Sequence, residues 1–244
     1  MNHRTIFCAA LLAVATAIAS GCGDRAAADA ARAAAQAAAD EKAAKEYADG
    51  FDAAMAAENW ALAKAHGDVL FARFPDTEQA ARVRPRYDEA RAKADAAREA
   101  SRMAALWSYQ SEDVKGGEQL SAAIYSKEPV DTDGSGANPV RLIFRDHPGW
   151  GTSSYLVLQA GDFDCYGGCR VKVKVDDAEP KSMSALRPDT DEATAMFIND
   201  EHGLWRTLEG ATQVSVEFPV KAGGTRTAVF EVAGLDRTKL PGWD

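Results

Sequence analysis

At Trp107 the spacing of apolar residues changes. Before it they recur every three to four positions; after it they alternate or form short apolar blocks bounded by Gly, Asp and Asn. A chain with that break is expected to fold as helices followed by a sheet, the α + β class with the two kinds of structure segregated. The expected order is an Ala-rich stalk over 22–49, a helical hairpin and a long helix over 50–106, and an antiparallel β-sandwich or partly open barrel with one short helix over 107–244.

In the helical half, alanine dominates from Arg25 to about Asp49, and Arg25, Asp29, Arg32, Gln36 and Asp40 form one polar stripe. Alanine favours helix but buries little area, so this stretch reads as a helical spacer of roughly 35 Å, or else as a low-complexity linker. Tyr47, Phe51 and Met55 then share a face, and Asn59 marks a turn. Trp60, Ala63, Val69, Leu70, Phe71 and Phe74 carry a second helix to Pro75. Proline disfavours helix at Phe74, and Asp76 or Thr77 can cap the next helix. That third helix, from Glu78 to about Leu106, carries a seam of Val83, Tyr87, Ala90, Ala94 and Ala97 that suits internal packing. Pro85 is expected to kink or restart it. The two short helices and closing proline resemble one tetratricopeptide-type hairpin, with Gly67 where a bulky residue is usual.

In the second half, strands are expected over 107–110, 120–126, 140–145, 154–159, 169–176, 193–198, 213–218 and 228–232, with a short helix near 201–209.

The N-terminus constrains location. Arg4 precedes an apolar run from Ile6 to Ala19, too short to span a bilayer but suited to a signal peptide. Ala19-Ser20-Gly21-Cys22 resembles the lipobox of bacterial lipoproteins. That resemblance implies a signal peptide over 1–21, removal of the leader, and a lipidated Cys22 as the mature N-terminus that holds the protein to a membrane. Gly23 after the cysteine points to the outer membrane, facing the periplasm, with Asp24 leaving the inner membrane open. A soluble secreted protein cut near Ala19 is the alternative.

The 244 residues carry 28 basic and 37 acidic side chains, a charge of −9; residues 107–244 alone hold 14 basic and 22 acidic, a net of −8. Such a domain is a poor ligand for nucleic acid or anionic lipid and leaves basic protein partners and divalent cations open. Of the four cysteines, Cys8 belongs to the leader and Cys22 to the lipid. Cys165 and Cys169 remain, an even pair in an oxidising compartment, and read as a disulfide.

Trp107-Ser108-Tyr109, Ala123-Ile124-Tyr125-Ser126, Arg141-Leu142-Ile143-Phe144-Arg145, the Cys165-x3-Cys169 pair leading into Val171, Val173 and Val175, Phe197-Ile198 and Gly234-Leu235 resemble a β domain of uncharacterised bacterial envelope proteins. A related pattern occurs in a periplasmic accessory protein of type VI secretion systems. The resemblance implies a disulfide-clamped β domain without known catalysis.

No catalytic residues, cofactor or metal ligands are assigned. His66, His147 and His202 lack zinc spacing. Asp131 to Asn138 resembles a calcium loop without its closing glutamate. His147 with Ser153 and Ser154 lacks a nucleophile elbow. Trp107, Trp150, Trp205 and Trp243 read as core or hairpin-tip residues, with the lining of a ligand groove as the alternative, and Trp243 as a staple for the C-terminus. Asp162, Asp164, Asp176, Asp177 and Glu179 form a candidate acidic patch for a basic partner, or a solvated edge. The expected function is a non-enzymatic binding or scaffold module for another envelope protein. The alternatives are an inhibitor or immunity-type lipoprotein acting on a basic periplasmic enzyme or toxin, and an envelope enzyme with an unrecognised site.

Overall fold

The computed structural model describes residues 20–189 and 194–243. The leader's apolar run over 6–19, and Ala193 at the start of one expected strand, lie outside the described residues. The fold is α + β with the two halves segregated, and the chain divides into two compact units between Ala96 and Ala97.

The first unit is helical. The Ala-rich stretch and the first hairpin helix are one helix, α1 (Ser20–Ala56). Residues 24–39 are exposed over roughly 24 Å of helix at about 1.5 Å per residue. From Asp40 onward one face turns inward. Ala44 and Ala48 lie seven and three residues before Phe51, on its side of the helix, and all three are fully buried. The free spacer therefore stops about ten residues short of Asp49. Asn59 ends the first turn by accepting from Leu62 N at 3.2 Å, which caps α2 (Trp60–Arg73).

The third helix, α3 (Glu78–Ala104), is capped twice. Thr77 Oγ1 accepts from Ala80 N at 3.2 Å, and the Glu41 carboxylate reaches across from α1 to accept from Glu78 N and Gln79 N at 2.9 and 3.2 Å. Asp52 of α1 accepts from Arg82 and Arg86 of α3. Partial burial raises the pKa of Asp52, but these two hydrogen bonds outweigh it and hold the carboxyl below the usual 3.8. α3 runs without a break through Pro85, where a kink or restart is expected. Pro85 and Ala81 are exposed, so water can satisfy the Ala81 carbonyl that the proline leaves without its helical donor.

Leu70 of α2, its C-cap Phe74, and Val83 and Ala90 of α3 join Phe51 in one core, with Tyr47, Phe71 and Tyr87 at its margin. The missing bulk at Gly67 has a cause: a Cβ there would overlap the Tyr87 ring, which packs edge-on against Phe71 with centroids 4.9 Å apart. Tyr87 is anchored by donating to Asp68, so the ring cannot easily swing away. Gly67→Ala is expected to lower the helical unit's stability by about 1–3 kcal/mol through overpacking. Urea unfolding followed by helical circular dichroism, beside a Gly67→Ala/Tyr87→Leu double variant that restores room, checks this.

The second unit is a nine-stranded antiparallel sheet in the order β1-β2-β5-β6-β9-β8-β7-β10-β11, with a small β3-β4 ribbon beside it. The strands are β1 (Trp107–Val114), β2 (Gly117–Tyr125), β3 (Val130–Asp131), β4 (Ala137–Asn138), β5 (Arg141–His147), β6 (Gly151–Val157), β7 (Cys169–Val175), β8 (Lys181–Leu186), β9 (Ala195–Ile198), β10 (Gln213–Pro219) and β11 (Thr225–Glu231). The sheet folds over itself in a sandwich-like way. Inward residues from both its ends, such as Trp107 and Ile124 at one and Val216 and Phe230 at the other, belong to one core, and Lys127 N donates to Val229 O of β11 at 2.7 Å. The short helix α4 (Glu201–Thr207), capped by Asp200, contributes Leu204 and Trp205 to that core. The last turn of α3 belongs to this unit as well. A Cβ at Gly234 would collide with the Met103–Ala104 backbone, so the two chain segments touch only because Gly234 has no side chain.

Candidate interaction surface

The disulfide expected from sequence is present. Cys165 and Cys169 are joined at 2.00 Å, and Gly167 and Gly168 take positive φ of 70° and 107° to close the turn. Cys165 is buried in the β core, while Tyr166 at the tip is 66% exposed. The Cys165 carbonyl accepts from Gly168 N and from Arg187 N, both at 3.2 Å, so the hairpin anchors the segment after β8. The Cys165→Ala/Cys169→Ala double variant is expected to lose about 2 kcal/mol, the chain-entropy cost of so small a ring. A chemical-denaturation midpoint that falls equally on reducing the native protein, with no further drop in the variant, checks it.

The five acidic residues proposed from sequence as one patch do not come together. Asp162 and Asp164 lie beside the end of β10, where Lys221 N donates to Asp162 O and Asp164 N to Pro219 O. Asp176, Asp177 and Glu179 come after β7 at the other end of β10, where Asp176 N donates to Gln213 O. The six steps from Gln213 to Pro219 separate the two groups by roughly 20 Å at about 3.3 Å per residue. Their adjacency in sequence is undone because β7 runs antiparallel to β10 between them.

Two of the five are also engaged by the fold. Asp176, at φ 45°, accepts from Thr212 N and Gln213 N and so sets the start of β10. Asp162 receives a bidentate pair from Arg187 at 2.7 Å each, and Lys221 joins at 2.7 Å. Burial raises the pKa of Asp162, but the hydrogen bonds from Lys221 and Arg187 outweigh it and hold the carboxyl below 3.8.

The remaining candidates also serve local structure. In the 131–138 stretch, Asp131 accepts from Asp133 N and Gly134 N, and Asp133 from Ser135, which makes the connection a series of Asx turns. His147 is buried and accepts from Gly149 N through Nδ1 at 3.0 Å. Trp107, Trp205 and Trp243 are core residues around Phe144.

Trp150 differs. It is 73% exposed, stacks on His147 at 3.9 Å, and lies at one edge of an unusual outer sheet face. Register places Ser108, Ala123, Ile143, Tyr155, Phe197 and Leu186 in one row across β1, β2, β5, β6, β9 and β8, on the side away from the core. A second row on that face holds Tyr125, Arg141, Val157 and Ala195. Tyr155 and Phe197 pack at 4.9 Å between centroids. The Arg145 guanidinium lies 5.4 Å from both the Trp150 and Tyr155 ring centroids, and that of Arg141 lies 5.6 Å from Tyr125. Burial raises the pKa of Tyr155, partly opposed by these two arginines.

This face was not among the sequence candidates, yet its signal was present. Leu142-Ile143-Phe144, Tyr155-Leu156-Val157 and Met196-Phe197-Ile198 are apolar at both parities. A strand with only one buried face alternates, so apolar residues at both parities mark a second face that is not simply solvated.

No family model matches the sequence, and no curated protein matches it. Among solved structures, the chain is similar to invasion associated protein B from Bartonella henselae, at 12% identity and a TM-score of 0.38, over 57% of this chain and 91% of that one.

Proposed function

We propose that this protein is a lipid-anchored envelope lipoprotein, held by Cys22 at the outer membrane and facing the periplasm, whose β unit binds another envelope protein as a non-enzymatic scaffold. The observation that carries the binding role is the outer face of β2, β5, β6, β9 and β8. Tryptophan, tyrosine and arginine are the residues that dominate protein interfaces, and here they crowd a face that the core does not use. The anchor rests on the leader run and on Ala19-Ser20-Gly21-Cys22. The exposed helix over 24–39 suits a spacer between an acylated Cys22 and the folded units. An inhibitor of a basic enzyme draws less support, because its acidic patch is split between the two ends of β10.

Labelled palmitate is expected to enter the full chain and not a Cys22→Ser variant, and the variant is expected to leave the membrane fraction. Equal labelling of both would overturn the anchor. A single, larger species on native gels of detergent-solubilised envelopes is expected for the scaffold role; a monomer under every detergent condition would overturn it.

A further inference from the structure

We infer that the outer face centred on Ile143 and Tyr155 docks an extended, carboxylate-bearing segment of a protein partner, with Arg141 and Arg145 each receiving one carboxylate. The inference rests on the binding role proposed above and names where and by what chemistry that binding occurs.

Charge is the first argument. Residues 107–244 carry 22 acidic side chains against 14 basic ones, so acids are plentiful. Arg187 is paired with Asp162, and Arg102 with Glu231. Among the described residues, Arg141 and Arg145 have no carboxylate within ion-pair distance. Arg145 has the Ser153 hydroxyl and two aromatic rings; Arg141 has Tyr125, and its buried Nε finds no acceptor. Two arginines held against rings are pre-placed forks for carboxylates, so less side-chain freedom is lost on binding.

Spacing is the second. Arg141 and Arg145 are four residues apart on one strand face, roughly 13 Å at about 3.3 Å per residue. Carboxylates at i and i+4 of an extended segment have that same separation. Between the arginines lies Ile143, flanked by Ala123 and Tyr155, so the partner residue midway between the acids would be apolar. The face from β2 to β8 spans four interstrand gaps, about 19 Å, which fits a segment better than a whole domain. A nucleic acid or anionic bilayer would also meet guanidinium groups here, but the net charge of −8 over residues 107–244 repels a polyanion more than a segment bearing two carboxylates.

The test uses the full, membrane-anchored chain in its own envelope. A photo-crosslinking benzoylphenylalanine is placed at Trp150 or Leu186 on the face, and at Glu209 or Lys239, exposed residues on segments that cover the core side of the sheet. The expected result is a protease-sensitive adduct from Trp150 and Leu186 only, reduced about tenfold in the Arg141→Gln/Arg145→Gln variant. The crosslinked peptide should contain two acidic residues four apart, and converting them to lysine should abolish the adduct with the native face and restore it with Arg141→Glu/Arg145→Glu. Urea midpoints of the variants within the native range separate lost docking from lost folding; if they fall, the partner-side lysine exchange alone decides. Adducts from Glu209 or Lys239 but not from the face would overturn this inference while leaving the scaffold role standing. Adducts from no position would overturn both. A lipid or nucleic-acid adduct, or one indifferent to arginine replacement, would overturn the inference.

Discussion

Replacing Asp162 with alanine is expected to lower the stability of the β unit by about 3 kcal/mol, the scale set by removing one partner of a buried ion pair. The cause is what the substitution leaves behind. The Arg187 side chain is only 3% exposed and donates both Nε and Nη2 to Asp162, so without the carboxylate the guanidinium loses its bidentate counter-charge in a site with little water. Lys221 softens nothing, because it is a second cation. Asp162 itself is 19% exposed, which keeps the cost toward the lower end of the range for a buried pair. The Asp162→Leu/Arg187→Met variant removes both charges and is expected to recover most of the loss. Urea unfolding of native, single and double variants at pH 7 measures the three values. Recovery in the double variant would assign the loss to a stranded charge, whereas an equal loss would assign it to packing.

The same pair sets an acid response. The Asp162 carboxyl titrates below its ordinary 3.8 when folded, so its stabilising contribution is complete above that value and is lost as pH falls through the lower, folded one. Asp52 behaves alike in the helical unit. Stability is therefore expected to decline below about pH 4, and Asp162→Asn should flatten the β unit's share of that decline.

The sequence carried the segregation of helix from sheet, because Trp107 divides two clean periodicities. It also carried local punctuation: Asn59 and Thr77 cap helices, and Cys165-x3-Cys169 closes a turn whose two glycines leave few alternatives. What it hid depended on neighbours. β8 holds only lysine, serine, methionine and alanine before Leu186, and it is a strand because β7 and β9 pair with it on either side. The acidic cluster looked compact because sequence distance was read as spatial distance, and the β7–β10 pairing pulled it apart. The arginine–aromatic face was written in strands apolar at both parities, but its members sit as much as 89 positions apart, from Ser108 to Phe197. Only register brings them into one row. Surfaces assembled across a sheet have no local motif, whereas caps and turns do.

The C-terminus offers a second large effect. Trp243→Ala is expected to cost the β unit about 3 kcal/mol, near the low end for truncating a buried tryptophan. Pro241–Trp243 forms a short 3-10 turn after Arg237–Lys239, and Leu240 and Trp243 are buried beneath it. The Trp243 ring lies 5.0 Å from Trp205 and 5.3 Å, edge-on, from Phe144, between centroids. A Cβ at Gly242 would meet the Asp146 carboxylate, which would have to swing aside. Truncation to alanine leaves those two rings facing a void or water. Among the described residues Trp243 Nε1 is buried without an acceptor, so there the indole contributes packing and no hydrogen bond. Trp243→Phe keeps most of the ring contact and removes the unsatisfied N–H, and it is expected to cost less than about 1 kcal/mol. Denaturation midpoints of the two variants separate the possibilities. A large loss for alanine with a small one for phenylalanine assigns the terminus to the core, and near-native midpoints for both would mean that the last turn contributes nothing to the fold it covers.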